Sequence, residues 1–434
     1  MSHSPLTGAA LRRGAIALAG IAAALALASP ARAGDAPLTL GAAQSLAVAR
    51  SQQVAAFGLA AKADRELAVA AGRLPDPMLK LAVENLPVDG PDRFSFGRDF
   101  MTMREVGVMQ EWTRGEKREL AARHSELQAD RSIAERELAV ANVERDTALA
   151  WFERRYAEAM REVVEEQQAE ARLQVQAADS AYRAGQGSQA DALAARGALA
   201  LLEDRMSDID RRIRAAKLAL ARWVGEEAAG RPLSGEPPIG ERPLGEHALR
   251  AHIERHPELL VKAKREEIAA NEVKQAVAAR KPDWNVELMY ALRGPAFSNM
   301  VSLSVTVPLQ WDRPHRQDRE IAAKLAREAQ AQAEREDALR MHLAEIGAKL
   351  EEWKAGRERI ARYEKTIVPL AQERSQAVLA AYRGAKASLA EVLAARRDEL
   401  DARLSALQLQ SENARTWAEL AFLVPEANSM KDMK

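Results

Sequence analysis

The sequence has no cysteine in 434 residues, which excludes a disulfide framework, a thiolate metal site and a thiol nucleophile. It also has no charge surplus. The 63 Lys and Arg balance 63 Asp and Glu, so the basic excess that coats a phosphate backbone is missing and nucleic acid is excluded as the main partner. Outside the N-terminus there is no long apolar run, and a mean hydropathy of -0.33 excludes a bundle of membrane-spanning helices. Gly 23 and Pro 18 fall below ordinary usage, so turns are few and long uninterrupted elements are expected. Aromatic residues are only 4%, which suits close-set helices packed through Ala and Leu. No Ser-His-Asp grouping, phosphate loop or HExxH motif is present, so the sequence carries no recognisable catalytic constellation and implies no cofactor.

The N-terminus carries Arg12 and Arg13, an apolar run from Ala15 to Ala28 and the small-residue triplet Ala31-Arg32-Ala33. That is the plan of a secretory signal peptide over residues 1–33, with a short transmembrane anchor as the competing reading. Cleavage removes three Arg and no acidic residue, taking the formal charge from +0 to −3 in an exported chain. Without cysteine, no lipid can be attached at a mature N-terminal thiol.

An internal repeat organises the rest. AYRAGQGSQADALAAR at 181–196 and AYRGAKASLAEVLAAR at 381–396 agree at 9 of 16 positions. Trp112 matches Trp311, and Pro75-Asp76 matches Pro282-Asp283. Two copies are therefore expected, at 34–232 and 233–425, with a tail at 426–434. The Pro- and Gly-rich stretch Gly230 to Gly245 connects them.

Each copy reads as a helix, two strands, a very long helix, a tight turn and a helix. The strands are placed at about 78–86, 102–112, 284–292 and 300–310. Val301, Leu303, Val305 and Val307 alternate with Ser302, Ser304 and Thr306, which gives one apolar and one polar face. A strand of about ten residues can cross a bilayer at a tilt, whereas four strands cannot close a barrel alone, so membrane-crossing strands would require several chains. A soluble hairpin packed on helices is the alternative.

The helical segments Leu40–Arg73 and Ser188–Val224 together match the length of the long helix Arg114–Ala184. The same holds for Glu246–Lys281 and Ser388–Val424 against Arg313–Gly384. Each copy thus predicts columns of roughly 105 Å at the helical rise of about 1.5 Å, with a kink at Pro369. Leu202, Met206, Ile209, Ile213, Ala216 and Leu220 form a heptad seam that needs a neighbour, and Leu400, Leu404 and Leu407 repeat it. The turns at about 184–188 and 384–388 hold Gly185 and Gly384 where the incoming helices end. Ser188 with Asp191, and Ser388 with Glu391, are capping boxes that start the next helices.

These features together resemble the TolC family of outer-membrane efflux ducts over about 38–425. The likeness rests on the repeat, the strand pairs, YRAGQGSQADAL and YRGAKASLAEVL, and VMQEW and VPLQW with basic helices after them. The resemblance implies a mainly α fold with a small β part: a long helical periplasmic tube plus four transmembrane strands per chain, the barrel being shared in a homotrimer. It implies a passive duct with no catalytic residue or fixed metal site, working with a periplasmic adaptor and, through it, an inner-membrane RND-type pump. Carried over position by position, Gly185, Ser188, Gly384 and Ser388 would dock the adaptor, and Asp191 and Glu391 would form a periplasmic constriction. Ala394 stands where some members have a second carboxylate, and Ala385 replaces the glycine of the first tip.

RLPDPMLKLAVENLP and MTMREVGVMQEWTRGEKRE look most like the heavy-metal, CzcC- or CusC-like branch, which implies export of metal cations; organic compounds are the alternative cargo. A structural periplasmic coiled coil is the alternative of a different class, although it leaves the alternating strands without a lipid to face. His252 and His256 are spaced as half a metal site, and Met101, Met103 and Met109 are soft ligands close together. A solvated helix start for the first, and loop and strand packing for the second, are the simpler readings, and neither group enters the expected site.

Overall fold

The computed structural model describes residues 36–236 and 253–422. The expected signal peptide, most of the Gly230–Gly245 connector, His252 and the tail at 426–434 lie outside these described residues.

The first copy opens with α1 (Leu40–Arg50) and α2 (Gln52–Ala71), which sequence reading joins into one helix. Ser51 divides them. Its backbone is extended, with φ −70° and ψ 109°, and its hydroxyl accepts from the Val54 N–H, so a serine cap restarts the helix one residue after the first ends. The hairpin β1 (Met78–Glu84) and β2 (Met103–Trp112) follows. Next come α3 (Gly115–Arg183), 69 residues and about 100 Å long, α4 (Gln189–Val224) and the short α5 (Glu226–Gly230). The second copy has α6 (Pro257–Ala278), β3 (Trp284–Leu292), β4 (Met300–Thr306), α7 (Gln317–Arg362), α8 (Val368–Arg383) and α9 (Leu389–Ala421). Strand β4 stops at Thr306, short of the expected residue 310, and the six residues Trp311 to Arg316 turn the chain before α7 begins.

One π-turn, Tyr363–Ile367, separates α7 from α8 just before Pro369, where a kink is expected. Pro369 has no N–H to return to the carbonyl four residues back. The chain absorbs that loss by widening one turn immediately before it, where the Val368 N–H reaches the Tyr363 carbonyl.

End-to-end stacking of short helices along a long one is visible in both copies. Along α3, Ser132 meets Asp64 of α2, Glu144 meets Gln44 of α1, Arg161 meets Asp210 of α4, and Gln168 reaches the Leu202 carbonyl. Along α7 and α8 the partners pass in the same way from α6 to α9: Lys324 pairs with Glu272, Lys349 with Glu419 and Arg374 with Asp398. The heptad seam packs as expected, with Ile209, Ile213, Ala216 and Leu220 buried. Much of the buried face of α3 is alanine, which lets neighbouring helices approach closely without rings.

The core runs along these helices as separate clusters. Trp151 and Phe152, packed edge to face at 5.6 Å, anchor the largest one with Leu38, Leu220 and Ala418. A short parallel bridge, Leu38 with Leu233, closes the first copy here. Arg154, only 2% exposed, donates to the carbonyls of Ala229 and Arg231 at 2.7 and 2.8 Å and pairs with Glu158 at 2.7 Å. A guanidinium buried so deeply is tolerated because all its acceptors are fixed.

Candidate functional site

The two hairpins merge into one antiparallel sheet in the order β1-β2-β3-β4, with β2 and β3 joining the copies through pairs such as Trp112 with Trp284. The register gathers the apolar side chains on one face, with Arg104 and Gln110 towards its two ends. Leu79, Leu81, Val106, Val108, Leu303 and Val305 fall on one face, and all are exposed. Leu81 and Leu303 are 72% and 71% exposed, so the stripe is open apolar surface. Trp112 and Trp284 end this face on the helix side, and Phe94, Phe96 and Phe100 lie exposed in the β1–β2 loop at the other end. Aromatic residues therefore flank an apolar band about as tall as its seven- to ten-residue strands. Strands β1 and β4 have no partner on their outer edges among the described residues.

The opposite face is polar and soft. It carries Lys80, Glu105, Glu287, Ser302 and Ser304, together with Met78, Met103, Met109, Met289 and Met300. Met103 and Met109 thus share a face with methionines from the other strands, whereas Met101 sits exposed in the preceding loop. Lys80 reaches across β2 to Glu287 at 3.1 Å. The strand between them carries Gly107, where a Cβ would fall 2.5 Å from the Met289 side chain, so the missing side chain makes this crossing possible.

At the far end of the long helices the two predicted hairpins form one four-helix tip. Ala178, Ala195, Leu389 and Val392 bury together and draw on α3, α4 and α9, with Val378, Leu379 and Tyr382 of α8 packed against them. The turns are near copies. Gln186 N–H reaches the Ala181 carbonyl and Gly185 N–H the Tyr182 carbonyl, while Lys386 and Ala385 do the same with Ala381 and Tyr382. Both capping boxes are complete: Asp191 N–H donates to Ser188 Oγ at 3.0 Å and Glu391 N–H to Ser388 Oγ at 3.3 Å. Each acid also accepts from its serine N–H, at 3.3 Å for Asp191 Oδ2 and 2.7 Å for Glu391 Oε2. The Ser388 backbone N–H, and then its hydroxyl, hold the Glu391 carboxyl below the usual carboxylate range.

The replacement of the first-tip glycine by Ala385 has a cost in backbone strain. The left-handed residue of the first turn is Gly185, φ +71°, and that of the second is Ala385, φ +54°. Gly384 has φ −88° and caps α8 in ordinary backbone. The glycine is therefore one residue too early to relieve the second turn, and an alanine bears the strain.

A cluster outside the sheet and the tip joins His256 to a residue far away in sequence. His256 stacks on His342 of α7, with ring centroids 4.2 Å apart; His252, its neighbour at four-residue spacing, lies outside the described residues. His256 caps α6, its Nδ1 accepting from the Glu258 N–H at 3.2 Å. Burial, reinforced by His342, pushes the His256 imidazole down to about 4, so it is neutral at pH 7. His342 is 4% exposed, and neither of its ring nitrogens has a hydrogen-bond partner. Its Nε2 lies 3.2 Å from Glu258 Oε2 and its Nδ1 lies 3.6 Å from Glu345 Oε2, close contacts that lack hydrogen-bond alignment. Each unsatisfied buried nitrogen costs about 1–3 kcal/mol. Local sequence shows the cap His256-Pro257-Glu258, but only packing brings His342 to it.

No helix among the described residues is long and apolar enough to cross a membrane, a fact that does not bear on the strands. No protein-family model and no curated protein sequence matches the chain. The fold, mainly helical with one small antiparallel sheet, is that of the outer-membrane channels. The outer-membrane protein VceC from Vibrio cholerae shares it at 20% identity and a TM-score of 0.70, over 88% of this chain and 95% of that one. The CmeC outer-membrane channel from Campylobacter jejuni is similar at 13% identity and a TM-score of 0.73, over 91% and 88%. CusC, which undergoes conformational changes accompanying folding and transmembrane channel formation, is similar at 15% identity and a TM-score of 0.72, over 89% and 92%. At these identities the likeness is one of fold.

Proposed function

We propose that this chain is the outer-membrane channel component of a tripartite efflux system and that it works as a homotrimer. The observation that carries the proposal is the sheet. One exposed face is apolar and ends in aromatic residues, the other is polar, and both edge strands lack partners among the described residues. Lipid would cover the first face, water the second, and copies of the same chain the two edges. Three chains would supply twelve strands, enough for a barrel with an aqueous lumen.

The helical tube would extend into the periplasm, where the tip meets a periplasmic adaptor coupled to an inner-membrane RND-type pump. Gly185, Ser188, Gly384 and Ser388 lie on its two turns and would form the docking surface. Asp191 and Glu391 each use one carboxylate oxygen in capping, which leaves the other for a constriction around the duct. The duct would be passive, with the pump supplying the work.

Metal cations are the proposed cargo. The lumenal face supports this reading, because five methionines and several glutamates line it where a drug-conducting pore would not require them. Organic compounds remain the competing cargo within the same fold.

Fractionation tests the channel. The expected result is that detergent, and not salt, releases the mature protein from the outer membrane, and that it migrates as a trimer in mild detergent; release by salt or a monomer refutes the channel. Docking is separate: Gly185→Trp with Ser388→Glu should abolish resistance while trimers persist, and full resistance removes that claim. Deletion tested against Zn, Co, Cd, Ni, Cu and Ag salts beside organic toxicants decides the cargo. Sensitivity confined to the organic compounds refutes metal export.

A further inference from the structure

The seam between α6 and α7 holds a chemistry that a passive duct does not need. His256, Glu258 and His342 present ligand atoms that all lie within 4.8 Å of one another. The two imidazoles are 5% and 4% exposed and sit beside an apolar cluster of Ile253, Leu259, Ile346 and Leu350. Packing alone does not explain His342. A histidine that merely fills a core finds a partner for at least one ring nitrogen, and neither nitrogen has one here. We propose that His256, Glu258 and His342 form a resident site for a divalent cation of the zinc type.

The geometry suits that ion. Two ligands of a tetrahedral zinc, each about 2.0–2.1 Å from the metal, lie roughly 3.3 Å apart. His342 Nε2 and Glu258 Oε2 stand 3.2 Å apart without hydrogen-bond alignment, as two atoms facing a shared cation would. Glu345 faces the other nitrogen of the same ring at 3.6 Å, which is the position of a carboxylate that holds a metal-bound histidine in its tautomer. His256, buried against His342, supplies a third ligand atom. Its Nδ1 now accepts the Glu258 N–H, and coordination through either ring nitrogen ends that role: Nδ1 either takes the cation or takes the ring proton. Binding therefore exchanges a helix cap for a metal bond. It ties the first turn of α6 to the middle of α7, two helices that follow one another around β3 and β4.

This site does not depend on the cargo. It is a fixed structural site in the helices, far along the chain from the strand residues that would line the pore.

The test uses full-length mature trimer in mild detergent, without a polyhistidine tag, stripped with chelator and titrated at pH 7 with Zn2+ and, in parallel, Co2+. One Zn2+ per chain is expected, together with a tetrahedral Co2+ absorption spectrum and faster amide exchange at Glu258 in the metal-bound form. His342→Gln and Glu258→Gln should weaken binding tenfold or more, Glu345→Gln less, and His124→Gln and His315→Gln not at all. Glu258 is only partly buried, so its variant is informative even if His342→Gln does not assemble. Zn2+ binding unchanged by Glu258→Gln, or wild-type protein with no tetrahedral Co2+ spectrum, overturns the proposal. Export measured in Glu258→Gln keeps the two readings apart: lost Zn2+ with intact resistance supports the site and leaves the channel standing.

Discussion

The tip offers a reciprocal test of backbone strain that leaves surface chemistry almost untouched. Gly185 and Ala385 occupy the same left-handed position in two near-identical turns, at φ +71° and +54°. A Cβ built on Gly185 meets nothing within 4 Å, so Gly185→Ala adds no clash and its cost is conformational only. Left-handed backbone costs a β-carbon residue about 1–2 kcal/mol, and the lower unfolded-state entropy of alanine returns about 0.4–1 kcal/mol. The net is about 0.5–1 kcal/mol, or a two- to five-fold change in local opening. Gly185→Ala should therefore loosen the first turn by that factor, and Ala385→Gly should tighten the second by as much. Hydrogen exchange read on peptides spanning 180–192 and 380–392 resolves the two turns, whereas a global melting curve would bury the effect. Both substitutions shifting exchange in the same direction, or neither shifting it, refutes the assignment of strain. If docking depends on the shape of the turn, resistance should survive both substitutions and fail only with bulky or charged residues.

Four further outcomes are expected. Acidification below the ordinary glutamate value of 4.5 should open the second turn, because the lowered folded-state value of Glu391 means that its capping is present above that pH and is lost below it; Glu391→Gln should flatten the dependence seen by hydrogen exchange. Arg154→Met leaves the carbonyls of Ala229 and Arg231 unpaired and should cost about 3 kcal/mol in thermal or denaturant unfolding, with Arg154→Lys recovering only part of it. Gly356→Ala places a Cβ 2.5 Å from Asn413 Nδ2, which donates to the Trp353 carbonyl, so it should destabilise by about 1–3 kcal/mol although alanine favours helix, and an unchanged melting temperature would count against this packing. Leu303→Arg, on the apolar face of β4, should cost about 2–4 kcal/mol in lipid and reduce trimers in the outer membrane, while Ser302→Arg on the other face should assemble normally.

Features of the fold that depend on near neighbours were legible in the residues. Alternation along Val301 to Val305 gives the two faces of β4, the seam from Leu202 to Leu220 marks the buried side of α4, and Ser188 with Asp191 marks the start of that helix. What was not legible depends on contacts between distant segments or on a one-residue shift of backbone. Ser51 reads as an ordinary helix residue until its own cap bond is seen. The repeat aligns Ala385 with Gly185, but that the alanine must adopt left-handed backbone there shows only in the hydrogen bonds to Ala381 and Tyr382. The stacking of His256 on His342 was not legible either, because no local pattern predicts a partner on a different helix.

The two unpaired edges of the sheet bear on genetics as well as on assembly. In a closed three-membered ring, every β4 must find a β1 on the next chain, so a single defective edge leaves the ring open. If a variant with a blocked β4 is expressed at the level of the wild type, random mixing leaves only about one ring in eight free of it. Edge variants should therefore be dominant. Variants of the tip or of the His256 seam, whose rings still close, should be diluted by the wild-type chains rather than poison them.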